Sequence, residues 1–191
     1  MTEVPLVTQV QRCGWATSAP DYLTYHDLEW GTELHGDDAL FERLCLEAFQ
    51  SGLSFITILR KREAFRAAFA QFAIAEVAEF DGNDVDRLMN DPGIVRNQMK
   101  IRAAIGNARV AAGLPGGLDE LLWSFAPAPG SRPRPATAAD VPAISTESTA
   151  MAKELKRQGF SFVGPTTAYA LMQATGMVDD HVAGCWRAGS G

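Results

Sequence analysis

Four side chains near the two ends of the chain are the first that could do chemistry together. Cys13 and His26 stand at the front with twelve residues between them, and His181 and Cys185 stand at the back with three between them. Two thiolates and two imidazoles are a standard tetrahedral donor set for zinc, a borderline-soft cation. Four protein ligands leave no position for an activated water, so a site of this kind is structural. It would tie segments that are distant in sequence, and closing so long a loop removes the most entropy from the unfolded chain. The spacing is equally compatible with a core cysteine, a surface histidine and two ordinary terminal residues. Three cysteines in all, an odd and sparse number, speak against a disulfide framework. His35 falls outside the pattern and reads as a solvated helix-entry residue.

Three further groups carry chemical potential. Trp15, Tyr22, Tyr25 and Trp30 lie within the sixteen residues after Gly14. Aromatics this dense fit a core, and they also fit a pocket for a planar base, where stacking contributes about 1–3 kcal/mol per base. Glu47 follows Leu44 by three and Leu40 by seven, so it projects beside the apolar stripe of its helix. It is either an exposed edge residue or a buried carboxylate in need of a partner. Buried beside aromatic walls, it could accept from a purine's exocyclic amine and favour a cationic base. Finally, Gly164 before Pro165 opens a helix after a short glycine-containing turn. The N–H groups there, with the Thr166 and Thr167 hydroxyls, form either a phosphate site or an ordinary helix–helix connection. Lys156 and Arg157 lie just before the turn.

The elements that must position these groups are helical. From 37 to 50 the apolar residues Leu40, Phe41, Leu44, Cys45, Ala48 and Phe49 form one stripe, with Asp37 or Asp38 as the N-cap and Gly52 as the stop. Further helices are expected over 54–69, 74–80, 83–90 (capped by Asn83), 94–112, 118–125, 146–158 and 165–175. Asp91-Pro92-Gly93 reads as a turn in which glycine accepts a positive φ. The proline-rich stretch 126–145 reads as a surface loop and not a domain boundary, because the remaining C-terminal residues are too few to fold alone. No alternating strand and no repeat is evident, so the expected fold class is all-α.

Composition bounds the rest. At 191 residues with 47% hydrophobic and 21% charged content, the chain fits one compact domain. No run approaches the roughly 18 apolar residues of a membrane span, and the front lacks a basic region followed by an apolar stretch; the expectation is a cytoplasmic protein. A net charge of −6 argues mildly against a nucleic-acid partner. Arg60-Lys61-Arg62 with Arg66, Arg96 with Lys100 and Arg102, and Lys153 with Lys156 and Arg157 are local basic concentrations that read as solvated helix faces when taken singly.

Several stretches together resemble the bacterial 3-methyladenine DNA glycosylase I family, within the helix-hairpin-helix glycosylases. They are Cys-Gly-Trp at 13–15, Tyr-x-x-Tyr-His-Asp-x-Glu-Trp-Gly at 22–31, Leu-Cys-Leu-Glu at 44–47, Gly-Leu-Ser-Phe-Ile-Thr-Ile-Leu-Arg-Lys-Arg-Glu at 52–63, Gly-Phe-Ser-Phe-Val-Gly-Pro-Thr-Thr at 159–167 and Asp-His-Val-x-Gly-Cys at 180–185. The resemblance implies an all-α glycosylase domain over 13–186, with a loose extension over 1–12 and a tail over 187–191. It implies one structural zinc on Cys13, His26, His181 and Cys185. It places a flipped base against Glu47 and Tyr25 between walls drawn from Trp15, Tyr22, Trp30 and Phe55, with Leu53 as a wedge into the duplex and Gly164, Thr166 and Thr167 on the DNA. Phe55 departs from the family's usual tryptophan and offers less stacking area. The implied activity is monofunctional excision of 3-methyladenine from double-stranded alkylated DNA by a monomer, since a cationic base leaves without an amine nucleophile. The alternatives are a damage-binding protein of the same fold without excision, and a zinc-dependent hydrolase.

Overall fold

The computed structural model describes residues 10–189, and the parts of the expected extension and tail beyond them lie outside that range. Nine α-helices carry the described chain: α1 (Pro20–Leu28), α2 (Asp37–Gln50), α3 (Phe55–Ala68), α4 (Ile74–Ala78), α5 (Gly82–Met89), α6 (Gln98–Ala112), α7 (Gly117–Trp123), α8 (Thr146–Gln158) and α9 (Pro165–Ala174). Short 3-10 turns cover Gly14–Ser18, Ala70–Phe72 and Ala138–Asp140. No strand occurs among the described residues, so the all-α expectation holds. No described helix is long and apolar enough to cross a membrane.

Helix α2 is the axis of the molecule. Its residues from Leu40 to Phe49 are buried on nearly every side, Arg43 excepted, because α3, α4, α6, α7 and α9 all pack against it. Its range matches the expectation, but its cap does not. Gly36, at φ +97°, precedes it without a side-chain bond. Asp37 instead accepts from the N–H of Asp119 in α7 at 2.8 Å, and Asp38 from the N–H of Ile74 at the start of α4 at 2.8 Å. The two acids thus cap neighbouring helices and bind the central one to them. Likewise Asp81, not Asn83, caps α5 through a capping box. Helix α6 begins at Gln98, later than expected, because the Asn97 side chain accepts from Lys100 N–H at 3.1 Å and fixes the start there. Gly93 does not take a positive φ; a Cβ there would meet the Ala64 Cβ at 2.9 Å, so close approach to α3 is what demands glycine.

Helix α6 anchors two turns through buried polar side chains. Lys100 donates to the carbonyls of Phe49 and Ser51 at 2.9 and 2.6 Å, closing the C-terminal end of α2, where a cation also suits the helix dipole. Asn107 exchanges two bonds with the backbone of Ser161, at 3.0 and 2.8 Å. Seven residues are two helical turns, about 10 Å along the axis and on one face. One helix therefore sets the spacing between the turn after α2 and the turn before α9.

Residues next to the expected domain edges are bonded to the body. Arg12 forms a two-pronged pair with Asp27 at 2.8–3.0 Å, the Trp186 N–H donates to the Gln11 carbonyl, and Arg187 donates to Thr32.

Candidate functional site

A cavity of about 410 Å³ opens between the N-terminal aromatics, α2, α3 and the segment after α9. Trp15, Tyr22, Tyr25, Trp30, Glu47 and Phe55 all line it. Helix α1, which no single apolar stripe announces, delivers Tyr22 and Tyr25 from one face. The Tyr22 hydroxyl accepts from Ile56 N–H at 2.9 Å, in the first turn of α3, and so fixes Phe55 beside it. The rings of Tyr22 and Phe55 are parallel within 5° at 6.3 Å between centroids, while Tyr25 tilts against Phe55 at 5.0 Å. Trp15 meets both Tyr22 and Trp30 edge-on, at 5.6 and 5.1 Å. The walls therefore offer flat faces to a flat ligand.

Glu47 is 7% exposed, and no hydrogen bond or ion pair reaches its carboxyl among the described residues. Burial pushes it from the ordinary 4.5 up to about 7, and the charge of Arg43 offsets only part of that. Arg43 is itself engaged: it donates to Glu29 at 2.7 Å and lies 5.8 Å from the centre of the Tyr25 ring. Burial alone would raise Glu29, but the guanidinium groups of Arg62 and Arg43 outweigh it and hold that carboxyl at about 2. Burial first, and the nearby Glu47 second, raise the Tyr25 phenol, which stays a neutral donor. A buried carboxyl poised near neutrality beside a phenol and an aromatic cleft can receive an electron-poor ring bearing N–H donors.

Residues from the front and the back of the described chain meet directly behind these walls. One ligand atom each of Cys13, His26 and Cys185 lies within 4.8 Å of the others, and His26 Nε2 is 3.4 Å from Cys185 Sγ. His181 stands beside this trio rather than within it, its ring 5.1 Å from that of His26. Asp27 takes His26 Nδ1 at 2.8 Å and Asp179 takes His181 Nδ1 at 2.9 Å. His26 thus turns its Nε2 to the Cys185 thiol, whereas His181 Nε2 is buried with no hydrogen-bond partner among the described residues. Such an orphaned acceptor beside two thiols fits a cation better than a packed core. Burial raises the Cys13 thiol to about 11 and lowers His181 despite Asp179. Gly31, at φ +73°, is required here as well, since a Cβ would sit 2.6 Å from the His181 ring. Trp15 and Trp30 touch the histidines on one side and the cavity on the other, so clasp and pocket share walls.

Leu53, Gly164, Thr166 and Thr167 do not line the cavity. Leu53 tips the turn between α2 and α3 and is 42% exposed. Gly164 caps α9 with no side chain, Pro165 follows at the first position, and Thr166 is exposed. Phe162 in the same turn holds φ +60°, a strained setting that the Asn107 clamp on Ser161 maintains. Of the basic concentrations, Arg60, Lys61, Arg62 and Arg66 are each bound to protein partners, Lys100 is buried, and Arg157 pairs with Glu154.

Some pocket residues had no signal in the sequence. Ala138 and Val141 arrive from the proline-rich stretch, whose lack of periodicity hides them. Gln173 comes from α9. Asp180 does carry a signal, since with Asp179 it follows the last helix, where the sequence suits a helix cap or a partner for His181 and also a place near the sugar; it lines the cavity. The pair Asp179-Asp180 splits: the first serves His181 and Arg134, the second turns to the cavity. Adjacent acids look alike until the backbone assigns them opposite directions.

An all-helical frame around an aromatic cleft, with one unpartnered carboxyl inside and its two chain ends clasped behind, defines a protein shaped to hold a flat, electron-poor ring. The sequence model of the methyladenine glycosylase family matches residues 15–188. The chain is 44% identical over 179 residues to DNA-3-methyladenine glycosylase 1 of Escherichia coli K12, covering 92% of this chain and 96% of that protein. A crystal structure of a 3-methyladenine DNA glycosylase I superposes with a TM-score of 0.86 at 42% identity, covering 92% of this chain and 98% of that one. The Staphylococcus aureus enzyme, whose structure addresses 3-methyladenine recognition, superposes with a TM-score of 0.85 at 35% identity over 93% of this chain and 96% of that one. The chain belongs to the methyladenine glycosylase family.

Proposed function

We propose that this chain is a monofunctional DNA glycosylase that flips 3-methyladenine out of alkylated double-stranded DNA and hydrolyses its N-glycosidic bond. The observation that carries the reading is Glu47, a buried carboxyl with no internal partner at an aromatic cleft. Burying such a group is unfavourable unless a ligand completes it. A purine methylated at N3 is cationic and presents an exocyclic amine, so it supplies both charge and donor. Tyr25 borders the same ring, and Trp15, Tyr22, Trp30 and Phe55 stack around it. Once the base is extruded, the bond from C1′ to N9 breaks with its electron pair passing to the base, which leaves neutral. Water then bonds to C1′ of the electron-poor sugar and releases one proton. The departing base already carries the charge that drives this, so no amine nucleophile is needed, and the strand stays intact beside an abasic site.

On the DNA side, Leu53 fills the gap left by the base, and the turn before α9 receives a phosphate on the N–H groups after Gly164 and the hydroxyls of Thr166 and Thr167. This is the helix-hairpin-helix arrangement, acting as a cytoplasmic monomer. Cys13, His26, His181 and Cys185 would hold one zinc ion, which when bound supplies a structural tie between the chain ends and no step of the reaction. A duplex carrying 3-methyladenine tests the reading. Free base should accumulate with the protein as isolated and drop about 10²-fold in rate with Glu47→Gln, in the range seen on removing one preorganised electrostatic group; equal rates would refute the role given to Glu47.

A further inference from the structure

Helix α2 reaches the cavity with two side chains, Glu47 and, near the helix end, Gln50. The carboxyl and carboxamide side chains along the cavity are Glu47, Gln50, Gln173 and Asp180. The last two are bonded to each other, Gln173 Nε2 donating to Asp180 Oδ2 at 2.9 Å. No hydrogen bond reaches the Gln50 carboxamide or the Glu47 carboxyl among the described residues. Residues three apart on a helix share a face, with Cβ atoms about 5–6 Å apart, so the two unpartnered groups stand side by side. The main chain around Gln50 is held firmly. Its carbonyl accepts from the Leu53 N–H at 2.6 Å, and the Lys100 ammonium closes the carbonyls of Phe49 and Ser51 on either side. Gln50 itself is half-buried, and its carboxamide, with two N–H donors and an acceptor oxygen, is left for a ligand.

We propose that Gln50 is a specificity-determining residue of the base site, donating a carboxamide N–H to N1 of the flipped 3-methyladenine while Glu47 accepts from the exocyclic amine. This rests on the glycosylase reading above. The amine and N1 are neighbours on the Watson–Crick edge, the edge by which flipped bases are read. They call for one acceptor and one donor side by side. An ionised Glu47 offers acceptor oxygens only, so the donor must come from a neighbour, and Gln50 supplies it. The methyl group at N3 lies across C2 from N1 and leaves that contact open. Guanine reverses the pattern, with an acceptor at O6 and a donor at N1. Its O6 would face the Glu47 carboxylate, and Gln50 would have to turn its amide over, so the pair favours adenine.

The test is calorimetric titration of the zinc-loaded protein with free 3-methyladenine and with 1-deaza-3-methyladenine, in which C–H replaces N1. The unsubstituted protein should bind the 1-deaza base about 10-fold more weakly, the loss expected on removing one sheltered hydrogen bond. Gln50→Met fills the same space without a donor. It should bind 3-methyladenine about 10-fold more weakly and prefer neither base by more than about 2-fold. Gln50→Ala also lacks the donor and suits a helix; it decides the matter should Gln50→Met not fold. Equal binding of the two bases by the unsubstituted protein, or a preference for 3-methyladenine that survives in the variants, would overturn the inference and leave the glycosylase reading standing. No binding of 3-methyladenine by the unsubstituted protein would overturn that reading and the inference with it, so the two failures are distinguishable.

Discussion

Replacing Glu47 by glutamine should change how stability depends on pH, in a direction opposite to that of an ordinary surface acid. The carboxyl rises from 4.5 in the unfolded chain to about 7 in the fold, chiefly through burial. Between these values the folded protein keeps a proton that the unfolded chain has lost, so ionising Glu47 destabilises the fold as pH rises. The whole shift corresponds to about 3 kcal/mol, of which about 2.5 falls between about pH 5 and about pH 8. Glutamine keeps the size of the side chain and cannot ionise. Any fixed cost of burying its amide is the same at both pH values and cancels, as do the titrations of the clasp residues. Urea unfolding of both proteins at the two pH values gives the required double difference. The unsubstituted protein should lose about 2–3 kcal/mol more than Glu47→Gln on going from the lower to the higher pH. Parallel pH dependences would refute the placement of Glu47 as a buried carboxyl without a partner.

The same geometry has consequences for rate, metal and binding. Excision should accelerate as pH climbs through about 7, where Glu47 ionises, and the inflection should vanish in Glu47→Gln; single-turnover rates across that range measure it. Cys185→Ser should release the metal, read by elemental analysis, and lower the melting temperature, with each kcal/mol lost worth about 2–4 °C in a domain of this size. Full activity loss with an unchanged melting temperature would contradict a structural clasp. Phe55→Trp should tighten binding of free 3-methyladenine about 2- to 5-fold, as expected from a larger stacking face, in a calorimetric titration. Asn107→Ala frees the turn that holds Phe162 at positive φ; affinity for abasic duplex should fall while free-base affinity stays level.

Most of the helices are visible in the sequence because burial in a helical fold leaves a stripe. Helix α2 is the clearest case, its range matching to the residue. Where local and long-range demands compete, the sequence misleads. Asp37 and Asp38 look like caps of their own helix yet serve α7 and α4, a choice only the packing reveals. Helix α1 leaves no stripe because its residues are used on several sides at once: Tyr25 and His26 inward, Leu28 outward. In the candidate site, residue types chosen for chemistry are legible, as with the aromatics, Glu47 and three of the four clasp donors, which do come together. The supporting residues are not. Ala138 and Val141 lie in a stretch without periodicity, and the sequence sets Asp179 and Asp180 side by side without saying which faces His181 and which the cavity.

Excision is read by chromatographic analysis of methylated duplex DNA after incubation with the purified protein, beside an unmethylated control. Free 3-methyladenine should appear from the methylated duplex alone, with strands intact until alkali cleaves the abasic sites. No released base from folded, metal-loaded protein, or strand breaks formed together with the base, would contradict a monofunctional glycosylase.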